Sequence, residues 1–142
     1  MGTGPRAVGF MERKEKMKEF WKDRNVFITG VSGLLGSWLA KYLIERKARV
    51  IALIRDDVTN SNLERMGLSA RINLVRGELE NFLLLERIIN EYEVETVFHL
   101  AAQTIVTIAN HDPLSTFESN IKGTWNILEA CRRGKCIKEV IV

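Results

Sequence analysis

Alternating strand and helix patterns along residues 25–142 predict an α/β fold: a doubly wound parallel sheet of order 3-2-1-4-5, truncated in its fifth strand. Three observations carry this expectation. Short runs such as Asn25–Thr29 (NVFIT) and Arg49–Ile54 (RVIALI) are apolar almost throughout, as strands covered on both faces are. Helix-period segments separate successive runs, and parallel neighbours need such crossovers. A glycine-rich turn, Gly30-Val31-Ser32-Gly33-Leu34-Leu35-Gly36, joins the first run to the first helix. The right-handed crossover rule then limits the strand order.

Residues 1–18 read as a basic N-terminal extension, ahead of a domain over 19–142. Residues 1–24 hold seven Lys/Arg against four acids, whereas the remainder balances at 14 of each. A surface helix over residues 10–22 is expected, with Phe20 and Trp21 docked on the domain. Its alternating signs argue against an arm for anionic surfaces. The first strand, 25–29, stops at Gly30. The helix Leu34–Glu45 is expected to turn Leu34, Leu35, Trp38, Leu39, Tyr42 and Leu43 inward, leaving Ser37, Lys41 and Glu45 elsewhere. Arg49–Ile54 is the second strand, and residues 63–66 form a helical turn. A third strand over 71–75 closes at Gly77. The helix over 80–92 buries Leu84, Leu85, Ile88 and Ile89, and residues 96–101 (TVFHLA) make the fourth strand. One long helix is expected over 113–132, with Asp112 as N-cap, Pro113 at the first position and Gly134 past the end. Its inward face would be Phe117, Ile121, Thr124, Leu128 and Cys131. A fifth strand starts at Glu139, and its open edge predicts self-association as a homo-oligomer.

Composition excludes several classes. The neutral body gives no reason for a nucleic-acid groove. No apolar run reaches the roughly 18 residues of a membrane span, so no membrane partner is expected. Two cysteines cannot make a secreted disulfide framework, which favours a cytoplasmic setting. No metal is expected either: Cys131 and Cys136 would need more ligands than His99 and His111 offer. No lysine follows the glycines in the manner of an NTPase phosphate loop.

The strongest chemical signal is the glycine turn. A diphosphate needs backbone N–H groups aimed at it, a favourable helix dipole and no Cβ in the way. Gly30 permits the tight turn, Gly33 lets the main chain approach the pyrophosphate, and Gly36 lets helix and strand pack closely.

The G-x-x-G-x-x-G spacing resembles the short-chain dehydrogenase/reductase superfamily. Val97-Phe98-His99-Leu100-Ala101-Ala102-Gln103 resembles the fourth-strand signature of its extended, nucleotide-sugar-modifying branch, the NAD-dependent epimerases and dehydratases. Asp112-Pro113, Phe117, Asn120, Gly123-Thr124 and Leu128-Glu129-Ala130 resemble the helix that follows. Phe20-Trp21 and Gly36-Ser37-Trp38-Leu39 are similar to the 4,6-dehydratases of that branch. The resemblance covers residues 20–142 and implies a Rossmann-like fold that binds NAD(P). The implied cofactor set is Gly30, Ser32, Gly33, Leu34, Leu35, Gly36, Arg55, Glu78, Leu79, Ala101, Ala102 and Gln103. The glycines would hold the diphosphate, and 101–103 would line the nicotinamide-side ribose. Glu78 stands where the family places an Asp near the adenine, one methylene longer. After the second strand, Ile54 stands where NAD users often place an acid, and Arg55 follows. Its guanidinium suits the 2′-phosphate of NADP, so NADP is slightly favoured over NAD. Asp56 and Asp57 offer the opposite reading, as acceptors for the ribose hydroxyls of NAD. His99, alone in an apolar run, is read as a satisfied core residue without a catalytic role.

The resemblance also implies a Tyr-x-x-x-Lys pair for hydride-transfer chemistry. Neither tyrosine has that spacing: Arg46 stands four residues after Tyr42, and Thr96 four after Tyr92. The expectation is therefore the cofactor-binding N-terminal part of a nucleotide-sugar 4,6-dehydratase or epimerase, a lyase or isomerase whose partner is a nucleotide sugar. No catalytic residue is assigned within this fragment. The alternative is a non-catalytic dinucleotide-binding regulatory or sensor module.

Overall fold

The computed structural model describes residues 5–56 and 61–142. Its five strands are β1 (Asn25–Thr29), β2 (Arg49–Ile54), β3 (Asn73–Arg76), β4 (Thr96–His99) and β5 (Glu139–Ile141). They form one sheet in the order β3-β2-β1-β4-β5, every neighbouring pair parallel. This is the topology expected from the alternating pattern. The period-2 geometry of β1 explains why all of it is apolar. Phe27 points into one core with Ile51, Leu53 and Val97, while Val26 and Ile28 point into the other with Val50 and Ala52. All three β1 side chains are fully buried.

Each core has its own helices. α2 (Leu34–Glu45) and α3 (Asn62–Arg65) close one face, through Ala40, Leu43, Ile44 and Leu63. α4 (Phe82–Glu91) and α7 (Gly123–Arg133) close the other, through Leu85, Ile88, Ile89, Ile127, Ala130 and Cys131. α1 (Pro5–Trp21) begins earlier than the sequence pattern indicated, and its last residue, Trp21, lies 6.1 Å from the Phe98 ring. Arg24 stacks 3.8 Å over Phe20 and pairs with Glu139 of β5 at 3.9 Å. The β4 end of that edge is tied by the Lys138 N–H donating to the Glu95 carbonyl at 2.8 Å.

Two helix faces differ from expectation. In α2 the buried residues are Gly36, Ser37, Ala40, Leu43 and Ile44, whereas Leu34, Leu35 and Trp38 are 72%, 66% and 53% exposed. The helix approaches the turn and sheet so closely that only small residues fit there, and the large apolar side chains at its start turn outward. The segment from 113 is helical through Arg133, as expected, but it is not uniformly α-helical. It divides into α6 (Pro113–Phe117), a π-helical turn (Glu118–Lys122) and α7, preceded by a further short helix, α5 (Val106–His111). The extra residue of a π turn rotates everything before it relative to α7. Gly123, Asn126, Ile127, Ala130 and Cys131 are buried, while Phe117, Ile121 and Leu128 of the expected inward face are exposed. The caps are as read: Asp112 Oδ1 accepts from the Ser115 N–H at 3.1 Å, Pro113 opens α6, and Gly134 caps α7. No helix among the described residues is long and apolar enough to cross a membrane.

Candidate functional site

A cleft of about 370 Å³ opens at the C-terminal ends of β1 to β4. In an open parallel sheet this is the edge where ligands bind, outside the point where strand order reverses. That reversal lies between β1 and β4.

The floor is the turn after β1. Gly30 has φ +76°, and a Cβ there would stand 2.8 Å from the Ala101 nitrogen and the Leu100 carbonyl carbon. Glycine at this point serves both the left-handed backbone and the contact between the ends of β1 and β4. Gly36 is more restricted still: its Cβ would lie 2.2 Å from the Gly30 carbonyl oxygen. It packs helix on turn, rather than helix on strand as the sequence reading held. Gly33 is the N-cap of α2, donates its N–H to Gly30 O at 3.1 Å, and has open space beside it apart from that oxygen. No side chain caps α2. The positive end of a twelve-residue helix therefore meets the turn with its first amides left to solvent or a ligand.

The remaining walls come from the other strands. Leu53 and Ile54 end β2 and Arg55 and Asp56 follow it, Gly77 to Glu80 follow β3, and residues 100–104 follow β4. The guanidinium of Arg55 donates from Nε to Asp56 Oδ2 at 2.9 Å, both side chains being exposed. The two residues read as competing determinants are thus paired with each other. Asp57 lies outside the described residues. Buried Asn126 pins the β3 wall, its Nδ2 donating to the carbonyls of Leu79 and Glu80 at 2.9 and 3.2 Å. The β4 wall is held from the π turn. Asn120 Oδ1 accepts from the Gln103 N–H at 2.7 Å, and its Nδ2 donates to the Gln103 carbonyl at 3.0 Å.

Of the residues expected from sequence, Gly30, Ser32, Gly33, Arg55, Glu78, Leu79, Ala101, Ala102 and Gln103 line this one cleft. Leu34, Leu35 and Gly36 do not. Leu34 and Leu35 point to solvent, and Gly36 lies buried behind the turn, so each bears on the site through backbone alone. Thr29, Gly77, Glu80, Thr104 and Ser119 also line the cleft and were not singled out as site residues. Ser119 lies on the π turn, for which the sequence carries no local signal. Thr29 could have been found from its place at the C-terminal end of the first strand. Burial pushes the His99 imidazole below its ordinary 6.5, and the side chain is 5% exposed beneath the cleft. Among the described residues no group of His, Cys, Asp and Glu could hold a metal.

The family model for GDP-mannose 4,6-dehydratase matches residues 27–142. CDP-glucose 4,6-dehydratase of Salmonella typhimurium is 35% identical over 125 residues, covering 87% of this chain and 35% of that protein. Among solved structures, UDP-glucose 4-epimerase of Thermotoga maritima with UDP-glucose superposes with TM-score 0.70 at 30% identity, over 82% of this chain and 36% of that one. The UDP-glucose 4-epimerase of Thermus thermophilus in complex with NAD gives TM-score 0.67 at 31% identity, over 81% and 36%. The chain thus spans about a third of the length of these relatives. With its sheet order, glycine turn and matched residues, the chain belongs to the GDP-mannose 4,6-dehydratase family, within the epimerase/dehydratase branch of the short-chain dehydrogenase/reductases.

Proposed function

We propose that this chain binds NAD(P) and is the cofactor-binding N-terminal part of a nucleotide-sugar 4,6-dehydratase or epimerase, without turnover of its own. One observation carries the reading. The uncapped N-terminus of α2 and the Gly30–Gly33 turn open into a cleft that the ends of four parallel strands enclose. The fit is chemical as well as topological. A pyrophosphate would take the amides at the start of α2, where Gly33 leaves room for it. Glu78 would accept from the adenine amino group, and Ala101 to Gln103 would flank the nicotinamide ribose. Held there, the cofactor would supply a nicotinamide able to accept and return hydride. The chain's own residues bind and orient that cofactor. Residues 1–18 are taken as an extension outside this unit, and a homo-oligomer is the proposed assembly.

NADP is proposed as slightly favoured over NAD, since Arg55 lines the cleft and a 2′-phosphate would replace Asp56 as its partner. The preference is small because Asp56 itself disfavours a second anion. Paired fluorescence titrations of the full chain with NADPH and NADH test both statements. Binding of either supports the cofactor reading, and binding of neither overturns it. A clear preference for NADH overturns the role given to Arg55.

A further inference from the structure

Thr29, His99 and Thr124 stand on β1, β4 and α7 and form one hydrogen-bonded chain beneath the cleft. Its ends fix its direction. The Asn120 carbonyl can only accept, so the Thr124 hydroxyl, 2.6 Å away, donates to it. Having used its proton there, Thr124 Oγ1 accepts from His99 Nε2 at 3.0 Å. At the other end the Ala101 N–H donates to Thr29 Oγ1 at 3.2 Å. The Thr29 hydroxyl then donates to His99 Nδ1 at 2.7 Å. This arrangement satisfies each donor once and requires a neutral imidazole with its proton on Nε2. A second proton, on Nδ1, would face Thr29 Oγ1 and leave the hydroxyl hydrogen of a fully buried threonine without an acceptor.

We propose that His99, in its neutral Nε2–H form, is a positioning residue for the dinucleotide: through Thr29 and Thr124 it fixes the Ala101 amide, and with it the 101–103 wall, against the end of β1. The proposal rests on the cofactor reading above and deepens it. His99 and Thr124 are not among the residues lining the cleft, so their effect on a ligand passes through the backbone they hold. The Ala101 nitrogen is also one of the atoms, with the Leu100 carbonyl, that leave no room for a Cβ on Gly30. A shift of the 101 peptide therefore disturbs the β4 wall and the glycine turn together.

The test uses the full chain, NADH and NADPH as probes, and the imidazole ¹⁵N spectrum of His99. The wild-type spectrum should show the neutral Nε2–H tautomer near neutral pH. Thr124→Val, which keeps the volume and removes the acceptor, should weaken binding of the preferred dinucleotide about tenfold and shift the tautomer balance. Thr124→Ser, which restores the hydroxyl, should recover affinity to within about twofold, an outcome that a role in packing alone does not give. Should the valine variant not fold, His99→Gln replaces it. Its amide keeps a donor toward Thr124 but reaches nothing on Thr29, and the same loss is expected. A charged or Nδ1–H imidazole in the wild type, or unchanged affinity in these variants, overturns the positioning role. Failure of the wild type to bind either dinucleotide overturns the cofactor reading and this role with it. The first pair of failures leaves wild-type binding intact, so the two cases are told apart.

Discussion

The two sides of the cleft are built by opposite means. On the β1 side the wall is largely bare backbone: Gly30 and Gly36 carry no side chains where chain meets chain, and Gly33 leaves the start of α2 open. On the β4 side it is side chains that hold the backbone: Asn120 clamps Gln103, and Thr29, His99 and Thr124 hold Ala101. A wall made by absence tolerates almost no substitution at Gly30 and Gly36, because an added Cβ there collides with main chain. A wall made by hydrogen bonds should fail by degrees, since each bond is worth about 1 kcal/mol and the groups it joins are mostly half-buried.

The sharpest break of that contrast is Gly36→Ala. The new Cβ would sit 2.2 Å from the Gly30 carbonyl oxygen, with no flexible side chain to yield. A stability loss of about 3 kcal/mol or more in urea unfolding is expected, together with loss of dinucleotide binding. Wild-type stability in this variant would show that α2 can move off the turn, and the contrast would fail. Asn120→Ala should do less. It removes both bonds to the Gln103 backbone, costs about 1–2 kcal/mol and weakens the dinucleotide about tenfold while the fold survives. An effect equal to that of Gly36→Ala would mean that the β4 wall is as brittle as the turn.

The same contrast explains what was legible in the sequence. Strands declare themselves through continuous apolar runs, and the glycine turn through residue types that few other arrangements require, so sheet order and cleft floor were both readable. The face of α4 was readable too, through Leu85, Ile88 and Ile89, but those of α2 and of the segment from 113 were not. Leu34, Leu35 and Trp38 obey helical periodicity, yet tight packing at Gly36, Ser37 and Ala40 turns them outward, while Leu39, Tyr42 and Leu43 of the same expected face do pack on the core. Periodicity reports where large side chains are, not how near the backbone comes. The π turn was equally invisible. Asp112, Pro113 and Gly134 mark both ends of a helical segment, but the shift between them depends on Asn120 and Thr124 meeting partners on and after β4. Ser119, which lines the cleft, lies on that turn.

Acid should separate the two sides without any mutation. Burial holds the folded-state pKa of His99 below its ordinary 6.5, so the unfolded chain takes up a proton before the folded one does. The stability tied to neutral His99 is therefore complete above that value and falls as pH drops from 6.5 through the lower folded-state value. Urea unfolding across this window should show the decline, and His99→Gln should flatten it. Glycines do not titrate, so the β1 wall adds nothing to this slope. An unchanged slope in the variant would place the acid sensitivity outside the hydrogen-bonded side.

The smallest expected effect sharpens the meaning of the glycines themselves. Lys47, just past α2, has φ +64°, close to the +76° of Gly30, yet it carries a side chain and is exposed. Left-handed backbone alone thus does not dictate glycine in this chain. Gly30 is needed because the Ala101 nitrogen and Leu100 carbonyl stand where its Cβ would go, and the exposed Lys47 meets no such demand. Lys47→Gly should relieve the left-handed strain of an L-residue, partly offset by a freer unfolded chain, for a net gain of about 0.5 kcal/mol. Gly30→Ala should cost several times that. If thermal unfolding gave the two changes equal and opposite shifts, backbone conformation rather than close approach would be the reason for glycine at the cleft floor.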